Sequence, residues 1–542
     1  MTEKEITIEL RRPEVIALFL ILGIVFFLEL QVTLNSPIAF GDEGHHTYIA
    51  RDIGEKKDYS AWQTKYGTEI DKYGFHEKPL WHILEGSFYL IFGFHEAIVK
   101  ILTPFIGSIL VGLSTYVLVK KIYDEKIGFI SSIISITVPS FVTYSVLVYT
   151  DALFVFYFSL FALTLILAVK TNETKYWIIS GIFAAFSFLT KNTGYAIFPL
   201  IGIVFLYRFL NQKKLLKPLK EFSILAIFFF LISGTFFIRS FVYYKTPDCY
   251  SDIFNITGCN RLSNYKDQFK YEGRTEQTGT EVDVFRIGVM NYLNFAYGNI
   301  WLVVLGFFCG LFIFTLRKSE NDILIILMLL ASIPIFYVSV GGRAEDTARY
   351  TLGWIPLISV VAGKYFEEAY NFIKKYQKYV AIIVFIFVIV FSFQNAIEKL
   401  NVMKQVKQFS PLFFEACDWV KNNVEEDARF GAVIWTGATI YNCERTAGGG
   451  GPDVTNSNNL TLALSVLKIQ GITHLFVQKF SISWDDQKLQ ERYPISFVQM
   501  LENNPNYFEK IYENGPSLQQ CIQSGGCDGS LIYKIDYTQK GN

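Results

Sequence analysis

Asp42 and Glu43 stand side by side just after the first long apolar run of the chain, and His45 and His46 follow them. This position holds two carboxylates and two imidazoles against one face of a lipid bilayer. Ionisable groups at a membrane face are expensive unless they are solvated or paired, so such a cluster indicates function. A helix cap is the alternative interpretation, because acidic residues favour helix N-termini. The two interpretations are compatible.

Asp151 is the second acidic candidate. It stands between two apolar runs, after Val148-Tyr149-Thr150, which places a lone carboxylate at the outer mouth between two predicted membrane helices. Here too a cap is the alternative, with Thr150 or Asp151 opening the second helix.

Basic residues fall on the same predicted side. Lys78 lies in the segment Phe75–His82, whose aromatic side chains could stack on a sugar, although an interfacial anchor is the alternative. Lys191 lies at an outer turn, where the positive-inside rule disfavours lysine, and this favours a specific anionic partner. Guanidinium groups suit bidentate phosphate recognition, although an Arg–Glu loop pair is the alternative for the outer loop. The arginine candidates are Arg239, Arg343 and Arg349.

Together these residues suit a reaction between a phosphorylated lipid carrier and a hydroxyl nucleophile. The cations would hold the phosphate and stabilise it as a leaving group. A carboxylate would take the proton of the attacking hydroxyl. The chain contains no GxxxxGK[ST] phosphate cradle, which fits a donor presented from within the membrane.

The elements that must position these residues are membrane helices. Of the 542 residues, 51% are hydrophobic, and they occur in unbroken runs rather than in the periods of soluble helices or strands. We predict eleven spans, at about 13–34, 97–119, 127–148, 151–169, 176–190, 193–208, 221–243, 297–316, 322–341, 350–363 and 378–395.

The lysine-rich connections keep in phase through all eleven crossings and indicate the cytoplasmic side. The first run follows Arg11-Arg12, is too long for a signal peptide, and predicts a cytoplasmic N-terminus. We therefore predict a polytopic α-helical membrane domain, an extracytoplasmic α/β domain and a multi-pass location in the plasma membrane. The membrane domain is 1–395 with outer loops 35–96 and 244–296, and the outer domain is 396–542.

Six of the seven cysteines fall in predicted outer segments and none in a cytoplasmic loop, which indicates an oxidising exterior. The candidate disulfides are Cys249–Cys259, Cys521–Cys527 and Cys417–Cys443. Zinc binding is the alternative, but no second close Cys or His pair accompanies either of the two short-range pairs.

In its motifs the chain resembles the GT-C membrane glycosyltransferases, and most of all the protein O-mannosyltransferase and lipid A aminoarabinose transferase group. Each motif is weak singly, but their order and common side make the match fairly specific over residues 1–395. The motifs are Asp42-Glu43 followed by Tyr48, Glu77–Leu80, Thr150-Asp151, Leu189–Lys191, and Arg349-Tyr350 through Leu352 to Pro356.

The resemblance implies an inverting enzyme that uses a polyprenyl- or dolichyl-phosphate sugar, with Asp42 as base, Glu43 in support and Asp151 as a second active-site carboxylate. Phosphate contacts are expected from Lys78, Lys191, Arg239, Arg343, Arg349 and Tyr350, and substrate contacts from His76, Trp81 and Tyr48. Expected partners are this donor, a hydroxyl acceptor on a glycan, lipid or protein, and membrane lipids, with no nucleic acid.

Metal use stays open, because the relatives differ in it. The chain departs from the usual pattern in having His45 and His46 beside the carboxylates and in lacking one proline of Lys-Pro-Pro. Those histidines, with His76 and Glu77, could form a divalent metal site.

Two other functions compete with this one. An oligosaccharyltransferase-like enzyme would move a whole glycan from a lipid pyrophosphate, but it would need a metal-bound acidic cluster, and the tail shows no obvious WWD-type segment. A transporter would bury charged residues in the middle of its spans. The donor sugar is not readable from the sequence, and mannose is favoured only by its frequency in the family.

Overall fold

A computed structural model gives the fold. It describes residues 13–57, 78–212, 215–244, 319–339, 349, 351–431, 436–447, 459–479, 482–483, 493–524 and 527–539.

The N-terminal three quarters of the described chain is helical. Its α-helices are α1 (Pro13–Leu34), α2 (Glu43–Lys56), α3 (Leu80–Phe92), α4 (Glu96–Pro104), α5 (Val111–Ile122), α6 (Glu125–Thr137), α7 (Pro139–Ser145), α8 (Asp151–Thr171), α9 (Thr174–Thr190), α10 (Ile197–Gln212), α11 (Leu216–Tyr244), α12 (Glu320–Ser339), α13 (Ile355–Tyr376) and α14 (Lys378–Val406). A π-helix (Phe105–Leu110) joins α4 to α5, and 3-10 turns (Asn192–Ala196 and Leu352–Trp354) precede α10 and α13.

Many of these helices suit a lipid environment. Among the described residues, six helical stretches are long and apolar enough to cross a membrane, and the bent pair α6–α7 (63°) would make a seventh. Their outer faces carry exposed apolar side chains, such as Leu20, Leu231 and Ile383. The predicted polytopic helical protein is confirmed, whereas the count of eleven stays a prediction, because the span at 297–316 lies outside the described residues.

Several elements differ from the predicted spans, and two of them have a clear physical reason. The span at 97–119 comprises α4, the π-helix and α5, because Pro104 at the end of α4 interrupts regular α-helical hydrogen bonding. The last helix does not stop near residue 395 but continues to Val406. Hydropathy marks where a helix leaves the membrane, not where its backbone hydrogen bonds end.

The C-terminal part is an α/β domain, as predicted. Its central sheet has the strand order β2-β1-β3-β7-β6, with β1 parallel to β2 and β3 and with β7 antiparallel to β3 and β6. The elements are α15 (Pro411–Asn423), β1 (Arg429–Gly431), α16 (Thr436–Cys443), β2 (Thr446–Ala447), α17 (Leu460–Ile469), β3 (His474–Gln478), β4 (Ile482–Ser483), β5 (Tyr493–Pro494), α18 (Ile495–Glu502), β6 (Phe508–Glu513), α19 (Leu518–Ser524) and β7 (Ser530–Ile535).

This domain packs directly on one end of the helical part, beside the start of α2. One hydrophobic cluster contains Trp81 and Leu153 from the helical part together with Phe413 and Ile440 from the α/β domain. Helix α16 lies so close to α2 that a Cβ atom on Gly44 would overlap the carbonyl of Gly437. The α/β domain therefore abuts the helix that begins beside Asp42.

Two disulfides lie in the α/β domain. Cys417 of α15 is bonded to Cys443 of α16, and Cys521 is bonded to Cys527. The Cys249–Cys259 pair lies outside the described residues.

Replacing Cys417 and Cys443 with serine should lower the free energy of unfolding by roughly 3 kcal/mol, because the bond closes a loop across 26 residues. The same change at Cys521 and Cys527 should cost less, about 2 kcal/mol, since that loop spans 6 residues. Denaturant unfolding of the purified protein measures both. Equal effects of the two changes would contradict the loop-closure argument.

Candidate active site

Four distant segments of the chain meet at one end of the helical part, where it packs against the α/β domain. Asp42 occupies the N-cap position of α2, and Asp151 is the first residue of α8. Lys191 has an extended backbone between α9 and the 3-10 turn that follows. Arg349 lies two residues before Thr351, the N-cap of the 3-10 turn that leads into α13. The structure thus brings together four of the residues singled out in the sequence.

Arg349 joins the two aspartates. Its Nη1 lies 2.9 Å from Oδ2 of Asp42, and its Nε lies 3.0 Å from Oδ2 of Asp151. The other oxygen of Asp151 forms an ion pair with the ammonium group of Lys191. The result is a row of alternating charges, Asp42, Arg349, Asp151 and Lys191.

The contacts of both aspartates are with cations and give no support to the capping interpretation. Neither α2 nor α8 receives a side-chain hydrogen bond from its N-cap residue, although Asp42 stands in that position. The Asp151 carboxylate is wholly buried and each of its oxygens accepts from a cation. Asp151 therefore suits the role of holding Lys191 and Arg349 in place.

Asp42 has a different environment. More than half of its side chain (55%) is exposed, which leaves it open to a substrate. The loss of surrounding water would by itself raise the pKa of Asp42. The positive charge of Arg349, with smaller contributions from His46 and His45, outweighs this effect and lowers the pKa. Asp42 is thus ionised and accessible, as a general base must be.

The lowered pKa of Asp42 predicts the pH dependence of the reaction. A base acts only when it has lost its proton, so the acid limb of kcat/KM should lie below the ordinary aspartate pKa of about 4. Replacing Arg349 with methionine removes the main opposing charge and should move this limb to higher pH. A pH profile of kcat/KM measures it, and an unchanged limb would argue against Asp42 as the base.

Tyr149 contacts both Arg349 and the turn that carries Asp42. Its ring lies 4.3 Å from the guanidinium carbon of Arg349. Its hydroxyl accepts a hydrogen bond from the Asp42 backbone N–H (3.0 Å) and donates to the Phe40 carbonyl (3.3 Å). Gly41 has φ +52°, and a Cβ atom there would overlap this hydroxyl. Only glycine fits this turn for both reasons.

Lys78 lies in an aromatic cage. Its Nζ is 3.9 Å from the ring centre of Phe188, 4.3 Å from that of Phe236 and 5.0 Å from that of Tyr195. Only 3% of the residue is exposed. Cation–π attraction stabilises an ammonium group buried among aromatic rings. The cage lies beside the C-terminal end of α9, the end that leads to Lys191.

Three predicted site residues are buried. Trp81 and Tyr48 belong to the hydrophobic cluster between α2, α3 and the α/β domain, and their predicted contact with the substrate stays a prediction. Glu43 is wholly buried and forms an ion pair with Lys407. A buried carboxylate with an ion-pair partner suits positioning better than proton transfer.

The described histidines do not fit a metal site. Nδ1 of His46 lies 2.9 Å from Nε2 of His82, so these two nitrogens face each other. The His45 ring centre is 5.3 Å from that of His46. Within the described ranges, no group of three or more His, Cys, Asp or Glu side chains could hold a metal ion. Glu77 lies outside those ranges.

Several other predicted residues also lie outside the described part of the chain: His76, Arg343, Tyr350 and the side chain of Arg239. The sequence analysis missed Tyr149 and Lys407 as site residues. Tyr149 could have been found from its position two residues before Asp151. Nothing in the sequence around Lys407 indicated a site residue, because it lies outside every motif described above, between the last hydrophobic helix and the α/β domain.

Solved structures share this architecture. An oligosaccharyltransferase from Archaeoglobus fulgidus in complex with Zn and sulfate has a TM-score of 0.63 and 13% identity, over 96% of this chain and 74% of that one. The archaeal oligosaccharyltransferase AglB from Archaeoglobus fulgidus, in complex with an inhibitory peptide and a dolichol-phosphate, has a TM-score of 0.59 and 13% identity, over 97% of this chain and 75% of that one. ArnT from Cupriavidus metallidurans bound to undecaprenyl phosphate has a TM-score of 0.61 and 10% identity, over 97% and 99%.

The fold is that of the GT-C membrane glycosyltransferases, which confirms the resemblance seen in the sequence. Within that class, residues 78–237 match the family model of the dolichyl-phosphate-mannose-protein mannosyltransferases. No curated protein sequence matches the chain.

Proposed function

We propose that the protein is an inverting glycosyltransferase that moves one sugar from a polyprenyl- or dolichyl-phosphate carrier to a hydroxyl acceptor on the outer face of the membrane. The observation that carries the proposal is the row formed by Asp42, Arg349, Asp151 and Lys191. It sets an accessible carboxylate beside cations that are held by a buried carboxylate.

The chemistry follows from these positions. The acceptor oxygen attacks the anomeric carbon while Asp42 takes the hydroxyl proton. The bond between that carbon and the phosphate oxygen breaks, and its electron pair stays on the phosphate. Arg349 and Lys191 stabilise the charge that develops there, and the buried Asp151 keeps both cations aimed. A single displacement inverts the anomeric centre.

The donor class is supported by the similar structures and by the matching family. The neighbours were solved with a dolichol-phosphate and with undecaprenyl phosphate, and the family description names dolichyl-phosphate-mannose. We therefore propose mannose or another hexose as the sugar. The acceptor would be a hydroxyl on a protein, glycan or lipid.

The distribution of lysines supports an outward-facing site. Asp151 begins α8, whereas Lys170 near its other end donates to the Ile122 carbonyl (2.5 Å), close to Lys120 and Lys121. A helix of 21 residues is about 30 Å long, a membrane's hydrophobic thickness. By the positive-inside rule the lysine end is cytoplasmic. We propose a plasma-membrane protein with an outer catalytic face, a catalytic domain 1–395 and an extracytoplasmic domain 396–542.

Glycan transfer from a lipid pyrophosphate to a protein is the second candidate, because the fold is also that of an oligosaccharyltransferase solved with Zn. The described residues do not fit a metal site, and we derive no step through one.

Purified protein in lipid nanodiscs, given radiolabelled dolichyl-phosphate-mannose and a membrane extract as acceptor, tests the proposal. We expect label to move to the acceptor fraction and dolichyl phosphate to be released. Parallel reactions with other polyprenyl-phosphate hexoses identify the sugar. Transfer only from a pyrophosphate-linked oligosaccharide to a peptide would favour the second candidate instead.

A further inference from the structure

The buried carboxylate of Glu43, the residue after Asp42, accepts several hydrogen bonds. Its Oε2 accepts the backbone N–H of Phe40 (3.1 Å), while the Glu43 N–H bonds to the Phe40 carbonyl (3.1 Å). These two bonds close the turn 40–43, which carries Asp42. The other carboxylate oxygen of Glu43, Oε1, accepts a hydrogen bond from the backbone N–H of Val148 (3.0 Å). One carboxylate therefore ties the Asp42 turn to the segment that leads to Asp151.

Lys407 completes this contact from the far end of the chain. It directly follows α14 and is only 3% exposed. Its Nζ lies 2.7 Å from Oε1 of Glu43 and donates to the Val146 carbonyl (3.0 Å). The ammonium group thus binds the same two segments as the carboxylate does, and it links both to the end of the last hydrophobic helix.

The spacing of Asp42 and Asp151 matters because Arg349 spans both carboxylates with two hydrogen bonds. A shift of the 40–43 turn relative to residues 146–151 would break one of these bonds. It would also move the accessible base away from the reacting hydroxyl. A displacement of about 1 Å between a base and the group it acts on can reduce the rate by roughly 100-fold.

We propose that Lys407 and Glu43 are positioning residues that set the distance between Asp42 and Asp151. This inference rests on the proposed function, in which Asp42 is the base. It places a residue at the entry to the extracytoplasmic domain among the determinants of the reaction rate.

The test separates positioning from stability. Lys407→Met leaves the Glu43 charge buried without its partner, so it should lower the thermal unfolding midpoint as well as the rate. The double variant Glu43→Gln/Lys407→Met buries no charge, and its midpoint should recover toward that of the wild type. The side-chain amide nitrogen of the new glutamine cannot accept a hydrogen bond. The backbone N–H of either Phe40 or Val148 therefore loses its acceptor.

For the double variant we expect kcat to fall about 10- to 100-fold, while the KM for the lipid-linked donor changes less than about two-fold. A matched control is available at the opposite end of the helices, where Lys364 and Asp322 form another buried ion pair (2.6 Å). The double variant Asp322→Asn/Lys364→Met should keep the wild-type kcat per folded molecule.

A double Glu43/Lys407 variant that regains both its unfolding midpoint and its kcat would overturn the proposal, since the pair would then serve stability alone. An equal loss of kcat in the control pair would overturn it as well. The proposed function fails separately, if the wild type transfers no sugar from any polyprenyl-phosphate donor or if Asp42→Asn is fully active.

Discussion

Replacing Asp42 with asparagine should reduce kcat for sugar transfer by about 10³-fold and leave the donor KM nearly unchanged. Asparagine has the same shape and can still accept the hydrogen bond from Arg349, so the variant removes the base without removing the contact. Steady-state transfer assays at saturating acceptor measure both constants.

The control for this prediction lies on the same helix. Glu55 is a partly exposed carboxylate of α2 that pairs with Arg51 (3.1 Å). Glu55→Gln makes the same chemical change away from the site and should keep kcat within a factor of two, because surface ion pairs contribute little. Substantial transfer by Asp42→Asn would show that another group takes the proton.

Replacing Arg349 with lysine should reduce kcat/KM by roughly 10²- to 10³-fold. A lysine ammonium cannot span Asp42 and Asp151 with the two parallel donors that a guanidinium offers. One aspartate would lose its partner, and the leaving phosphate would lose a bidentate donor. The affinity for polyprenyl phosphate, the other product, should fall as well, which equilibrium binding measures directly.

Arg208 provides the comparison for this change. It makes a buried bidentate pair with Glu221 (3.1 and 2.6 Å) near Asn172, at the other end of α8. Arg208→Lys should lower stability but not kcat/KM per folded molecule. If Arg349→Lys left both kcat/KM and product binding intact, the phosphate would have to be held by other cations.

Part of the site follows from local properties of the sequence. The apolar runs locate the helices, and the position of Asp42 after the first run and of Asp151 between two others places both carboxylates at helix ends on one side. Lys191 stands out because a lysine at that turn violates the charge rule. These inferences need only the transfer free energy of each segment, which depends little on distant residues.

The surroundings of other predicted site residues could not be read from the sequence. Glu43, Trp81 and Tyr48 were chosen by residue type and position, and only the packing shows that they are buried. Likewise, the sequence does not say which of the five basic candidates pairs with which carboxylate. The structure shows Arg349 and Lys191 as partners of Asp151 and places Lys78 among aromatic rings.

By itself the sequence determined that this is a helical membrane protein with a C-terminal α/β domain, and it predicted acidic and basic residues at the same ends of the helices. Hydropathy and loop charge are sums over neighbouring residues, so they can be read without coordinates. Only the tertiary structure decided which carboxylate is accessible and which is locked in an ion pair. It alone revealed the contacts that Tyr149 and Lys407 make, because these join segments 107 and 364 residues apart. Such pairings depend on how helices pack, and no local pattern encodes them.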